Sequence, residues 1–304
     1  MARLFLLLAL VAGWLAPGPA WPQPEPEHLP RRAKPPAPGV RPAALPAYGG
    51  GLAPAARSEV DRQFDRLVDG FLLLHFRLEP VKATAAGLHD YDALLPATDS
   101  TAIVASIASL DSIRAALGKV DAARLGPERR ADHAMLTRRL RERVDELHVT
   151  TTWKRDPRLY PAIATEGIAT LLAHDFAPLE DRARNVVARL TEIPRVLRDG
   201  RANLTRPSRV DTERAIAESA ELVRFLSNQL PPRMAPVRDP VLREEFDHHL
   251  ASAAGAAGGY YDWLRDELLD RSVADSVAVA RADAGGGTSP LDSLLGSGTS
   301  WTRR

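Results

Sequence analysis

The sequence predicts an all-α protein: a multi-helix bundle of amphipathic helices, preceded by a signal peptide and a Pro-rich linker. Three observations carry that expectation. Between residues 58 and 270 the apolar side chains recur every three or four positions, the period of one helix face. Capping residues and prolines stand where those periodic runs begin. With 45% hydrophobic and 26% charged residues, the chain has an ordinary globular balance that argues against wholesale disorder. Its 40 basic and 39 acidic residues leave a net charge of +1, so no strong field gathers nucleic acid and no such partner is expected.

The chain opens with a short positive start at Arg3, an apolar run from Leu4 to Ala16, and small residues Gly18 and Ala20 where signal peptidase would read. The run of 13 residues is shorter than the roughly 20 that span a bilayer. Residues 1–20 therefore read as a signal peptide rather than an uncleaved anchor, and a periplasmic or secreted protein with no membrane attachment after cleavage is expected. The chain has no cysteine, so stability must come from core burial and not from disulfides. Residues 21–57 read as a linker, because 12 of the 25 prolines fall between Pro17 and Pro54. A proline-rich ligand for some partner is the rarer meaning of such a segment.

The helical domain is expected over residues 58–270. Ser58-Glu59-Val60-Asp61 resembles a helix start, with a hydroxyl cap and acidic residues in the first turn, and Val60, Phe64, Leu67, Val68, Phe71 and Leu78 line one side of a helix ending before Pro80. Pro80 to Pro96 reads as a connection with a short helical turn. Asp99 or Ser100 caps a helix carrying Ile103, Ile107, Leu110 and Leu117. Gly126-Pro127 starts another with Leu136, Leu140, Val144 and Leu147 inside; its arginines, from Arg129 to Arg143, alternate with acids and read as a salt-laced solvated face. Pro161 and Pro178 suit a first helical turn, and Pro194 should kink its helix. Val186, Leu190, Ile193 and Leu197 mark one buried face; Ile216, Ala220, Val223 and Leu226 mark another. Asp239-Pro240 begins the last long helix, where Gly255, Gly258 and Gly259 would let a neighbour approach closely. Residues 271–304 read as a flexible tail.

No catalytic constellation emerges, and no catalytic, cofactor-binding or metal residue is assigned. Glu244, Glu245, His248 and His249 share helix faces, but a di-metal bundle needs a second inward Glu-x-x-His pair. The other, Glu25 with His28, lies in the linker. No His-Glu-x-x-His or Gly-x-Ser-x-Gly sequence is present, and without cysteine there is no thiol nucleophile. His75, His89, His133, His148 and His174 stand singly, Asp90 and Asp92 fit a turn, and the Asn203-Leu204-Thr205 sequon is a pattern common by chance.

Five segments nevertheless carry a resemblance. They are Pro80-x-x-Ala83-Thr84-x-x-Gly87-x-His89-Asp90-Tyr91, Asp156-Pro157-Arg158-Leu159-Tyr160, Arg182 through Ala188-Arg189-Leu190-Thr191-Glu192-Ile193-Pro194, Ala202-Asn203-Leu204, and Tyr260-Tyr261-Asp262-Trp263-Leu264. Occurring in order across residues 58–270, they resemble the N-terminal portion of the domain of unknown function 885 family. That resemblance implies an exported or lipid-anchored, mostly helical bacterial protein of zinc-metallopeptidase-like type, with the zinc motif in a C-terminal half. Zinc is implied only for the full-length family, with no cofactor in this chain. The implied partners are a missing C-terminal half or a peptide substrate. The alternative is a stand-alone exported helical module that binds a peptide or protein.

Overall fold

The structure, a computed structural model, describes residues 58–273. The expected signal peptide, the linker and all but the first residues of the expected tail lie outside them. Eleven α-helices, joined in places by short 3-10 or π turns, follow one another within this span: α1 Glu59–Leu78, α2 Pro80–Ala85, α3 Ser100–Leu117, α4 Pro127–Asp145, α5 Thr152–Arg155, α6 Leu159–Leu172, α7 Leu179–Asn203, α8 Arg209–Arg224, α9 Leu230–Met234, α10 Pro240–Trp263 and α11 Leu269–Arg271. No strand occurs among the described residues. A single parallel bridge ties Ser208 to Val273, with the Arg209 N–H on the Val273 carbonyl at 3.0 Å.

Local sequence explains the helix starts. The Ser58 Oγ accepts the Asp61 N–H at 3.0 Å, and Asp61 accepts the Ser58 N–H in return at 3.3 Å. Asp99 rather than Ser100 caps α3, and the Asp239 carboxylate takes the N–H groups of Val241 and Leu242 ahead of Pro240. Pro161 does lie in the first turn of α6, whereas Pro178 is the cap residue just before α7. Pro194 leaves α7 unbroken over 25 residues. Its missing N–H removes one hydrogen bond, which burial along the whole helix outweighs. At Pro231 and Pro232 the chain answers differently: a wider π turn, Phe225–Gln229, shifts the ladder before the prolines enter.

The helices form two layers, each with its own core. The N-terminal core gathers Phe64, Phe71, Phe76, Leu110, Leu136, Leu140 and Trp153 from α1 and α3–α5. The C-terminal core gathers Tyr160, Ile168, Leu190, Ile193, Leu226, Tyr260 and Leu264 from α6–α8 and α10 with the turns that extend them. Helix α2 packs on α6 between the two. Two expectations need correcting. Helix α8 buries Thr212, Ala215, Ser219 and Leu222 at its centre, with Ile216 and Val223 only flanking. The small residues face inward because they let neighbouring backbones come close. The arginine face of α4 is not wholly solvated either: Arg129 forks onto Asp65 of α1 at 2.8 and 3.0 Å.

Candidate functional site

Polar groups collect along the seam between the layers, and three clusters account for most of the family-like motifs. The first centres on Arg189, whose side chain is fully buried. Its guanidinium donates to the Gly167 carbonyl, to Thr170 at 3.2 Å, to the Tyr91 carbonyl at 3.4 Å and to the Thr84 hydroxyl at 2.7 Å. Thr84 passes its own proton to Asp92 at 2.6 Å, and the His89 ring shares the other Asp92 oxygen at 3.0 Å while stacking on Phe176. Burial lowers the Arg189 pKa to about 10, with the Asp92 charge opposing, so the cation survives at neutral pH. Gly87 takes a left-handed φ of 78°, which explains a glycine at that motif position. Asp90 and Asp92 do not act as a carboxylate pair, since Asp90 is exposed and Asp92 is buried in this lock.

The second cluster uses the Asp156-to-Tyr160 motif. Asp156 accepts from the Arg158 backbone at 2.8 Å and from its guanidinium at 2.6 Å, and Arg158 also reaches Asp211 at 3.3 Å. Tyr160 donates to the Trp153 carbonyl and accepts from Asn203 at 3.1 Å; Asn203 also donates to the Thr98 carbonyl at 2.7 Å. The Tyr260 hydroxyl donates to the Pro157 carbonyl at 2.9 Å. Asn203 is therefore a buried hub and its amide is spoken for, which leaves the sequon without an accessible acceptor. These two clusters fix helices to one another.

The third cluster has free capacity. Glu79 and Lys82 meet Arg143 and Glu146 where α1, α2 and α4 converge, with Lys82 3.7 Å from Glu79 and Arg143 bonded to both acids. Burial pushes the Glu79 carboxyl up, but Lys82 and Arg143 outweigh it and hold the pKa down at about 2. Burial drives Lys82 down, against the pull of Glu79, even though a fifth of its side chain stays exposed. The row continues onto Glu166 of α6 and Glu218 of α8, successive packing neighbours. Burial raises both carboxyls; Lys82 pulls Glu166 back in part and Arg158 does so for Glu218. Neither glutamate's carboxylate makes a hydrogen bond or ion pair with another described residue. Two unpaired, half-buried carboxylates, Glu166 beside Lys82 and Glu218 on the Arg158 side, form the strongest candidate site here, because unpaired charges of this kind destabilise the fold.

Sequence reasoning assigned none of these residues. One signal was available: Glu166 is the only charged residue in the 14 residues of α6. The residues weighed earlier do not assemble a site. Glu244, Glu245 and His248 point to solvent, and among the described residues no three His, Asp or Glu side chains lie where they could hold a metal. His133 bonds the Leu117 carbonyl at 3.1 Å, and His75 is packed against Phe71 and Phe76.

Comparison with known proteins bears on these motifs. No curated protein matches the chain. A solved structure from Shewanella oneidensis, a protein of unknown function provisionally classed as a lipoprotein, superposes with a TM-score of 0.61 at 22% identity. The superposition covers 77% of this chain and 40% of that one, so this chain spans about two fifths of its neighbour's length. At that identity the likeness is one of fold. The model of the family described as bacterial proteins of unknown function, DUF885, matches residues 80–288. It begins at Pro80 rather than Ser58, and it takes in the Arg189 lock, the Tyr160 hub and all five motif segments. The chain thus belongs to the DUF885 family of bacterial proteins of unknown function.

Proposed function

We propose that this chain is the N-terminal helical part of an exported, metallopeptidase-like protein, and that it forms one wall of a peptide-receiving groove without carrying the zinc chemistry. The observation behind this reading is the uncovered face of α3. Ile103, Leu110 and Leu117 are buried, yet Val104, Ala105, Ala108 and Ala115 lie exposed on the opposite side, with Val104 at 59%. The helix is apolar enough, at a mean hydropathy of 1.2 over 18 residues, to pass for a membrane span by composition. Val104, Ala108 and Ala115 form an apolar stripe interrupted only by the Asp111–Arg114 ion pair, and a stripe of that kind is what further protein would cover. The donor set described above does not fit a zinc ion, so no step is routed through one. The chain's own contribution is positioning: Glu166 and Glu218 attract cationic groups of a peptide, while Lys82 and Arg143 orient its carbonyls and carboxylate. Export rests on the N-terminal sequence pattern and accords with the lipoprotein class of the structural neighbour.

A second reading, a stand-alone exported module that binds a peptide or protein, draws on the same two glutamates, which need no other domain to hold a cationic peptide. Both readings meet one experiment. The purified full chain, with zinc or with chelator, is offered a mixed peptide library and the products are read by mass spectrometry. Retention of Lys- and Arg-containing peptides, lost in Glu166→Gln/Glu218→Gln, with no chelator-sensitive cleavage, is the expected result. Chelator-sensitive cleavage by this chain alone would sink the proposal. A Val104→Glu/Ala108→Glu variant that gains nothing in solubility would remove the case for a covered face and leave the stand-alone module.

A further inference from the structure

The corner between α9 and α10 carries a half-open pocket of about 130 Å³. Met234, Val237, Leu242 and Phe246, each between 2% and 5% exposed, tie one part of its lining to the core, and Pro231, Ala235, Arg243 and Asp247 complete it at the surface. The corner itself is fixed. The Ala235 N–H bonds the Pro231 carbonyl at 3.0 Å, the Val237 N–H bonds the Met234 carbonyl at 3.0 Å, and Asp239 caps the next helix.

Arg243 and Asp247 stand at the mouth, one turn apart on α10. Both are exposed, and neither forms an ion pair or side-chain hydrogen bond with another described residue. The same Arg-to-Asp spacing on α7, Arg195 with Asp199, closes to 3.1 Å. Here the two opposite charges stay open, neighbours on one helix face, at the rim of the pocket.

We propose that this corner binds a free apolar α-amino acid, its carboxylate on Arg243, its ammonium on Asp247 and its side chain in the cavity. The assignment is independent of the peptide-groove reading. Opposite unpaired charges beside one apolar pocket match the three parts of a zwitterionic amino acid. A carboxylic acid would leave Asp247 unused, and an amine would leave Arg243 unused. Size narrows the class further. Taking about 30 Å³ per water-sized group, the cavity holds roughly four such groups, which suits leucine, isoleucine or methionine and excludes tryptophan. Exposed charges and a small buried area give an affinity on the order of 1 mM.

The test is a titration of the full chain with L-leucine, followed by calorimetry or by the shift of amide NMR signals. L-leucinamide, 4-methylpentanoate, L-tryptophan and the dipeptide Ala-Leu are the comparison solutes. Leucine should bind, leucinamide and 4-methylpentanoate should each bind roughly five-fold more weakly, and tryptophan should not bind. Arg243→Gln should erase the preference for leucine over leucinamide, and Asp247→Asn the preference over 4-methylpentanoate. Both positions are exposed, so both variants fold, and circular dichroism checks it. No leucine-dependent change, equal binding of leucinamide, or an Arg243→Gln variant that still discriminates would each overturn the proposal. Tighter binding of Ala-Leu than of leucine would overturn it too, by showing that the site does not read the free ammonium.

Discussion

Replacing Gly200 with alanine tests how the two motif helices α6 and α7 are joined. A Cβ built at Gly200 would stand 2.6 Å from Cγ of Tyr160, 2.7 Å from Cδ2 and 3.0 Å from Cδ1. Those atoms are at the root of the ring, which is fully buried, and its hydroxyl is tied to Trp153 and Asn203 at the far end. The ring cannot swing away without breaking both bonds. Alanine improves helix propensity by about 1 kcal/mol, and overpacking of a fixed core costs about 1–3 kcal/mol. The overlap is severe, so the net expectation for Gly200→Ala is a loss of about 1–2 kcal/mol. Gly255 supplies the control, since a Cβ there meets nothing within 4 Å. Gly255→Ala should therefore gain about 0.5–1 kcal/mol from propensity alone. Urea unfolding with linear extrapolation measures both, at an unchanged m-value. Combining Gly200→Ala with Tyr160→Leu should recover part of the loss, since the double-mutant cycle removes the obstructing ring. A Gly200→Ala protein more stable than the parent would refute the argument, as would two alanine variants that change stability in the same direction.

Three further outcomes follow from the seam. Burial lowers the His75 pKa from 6.5 to about 4. A histidine depressed in the folded state contributes fully above the unfolded value and loses that contribution as pH falls. Stability should thus decline between pH 6.5 and pH 4, by at most about 3 kcal/mol, and His75→Gln should flatten the decline in pH-dependent melting. Glu166 titrates the other way: its carboxyl is raised by burial, so its charge weakens the fold at neutral pH and the penalty fades as acid protonates it. Glu166→Gln should gain about 1 kcal/mol near neutral pH and nothing in acid, as read by denaturant midpoints at both. Arg189→Met removes the buried cation that reaches Asp92 through Thr84 and leaves the Gly167 and Tyr91 carbonyls without their donor, and should cost about 3–5 kcal/mol. Arg189→Lys should recover little of it, since an ammonium cannot reach the carbonyls and Thr84 together; thermal unfolding distinguishes the three proteins.

The glycines and the charges show where reading the chain alone falls short. Gly255, Gly258 and Gly259 were expected to admit a close neighbour, yet nothing approaches within 4 Å of a Cβ at any of them. The tight approaches are at Gly200, under Tyr160, and at Gly167, where a Cβ would lie 2.6 Å from Leu95. A run of small residues is visible in sequence, but the ring or leucine that closes on one of them comes from another helix.

By itself the sequence determined the all-helical class, the caps at Ser58 and Asp239, and the buried stripes of α1, α4 and α7. Each of these is a matter of one or two helical turns, so neighbouring residues suffice to specify it. Only the tertiary structure decided that α8 turns Ala215 and Ser219 inward, that Arg129 and Arg189 leave the water, and that Glu166 and Glu218 end up unpaired along one row. Those outcomes depend on which side chains two distant helices bring together and on how much water they displace. That is a property of the packed seam, and no local pattern encodes it.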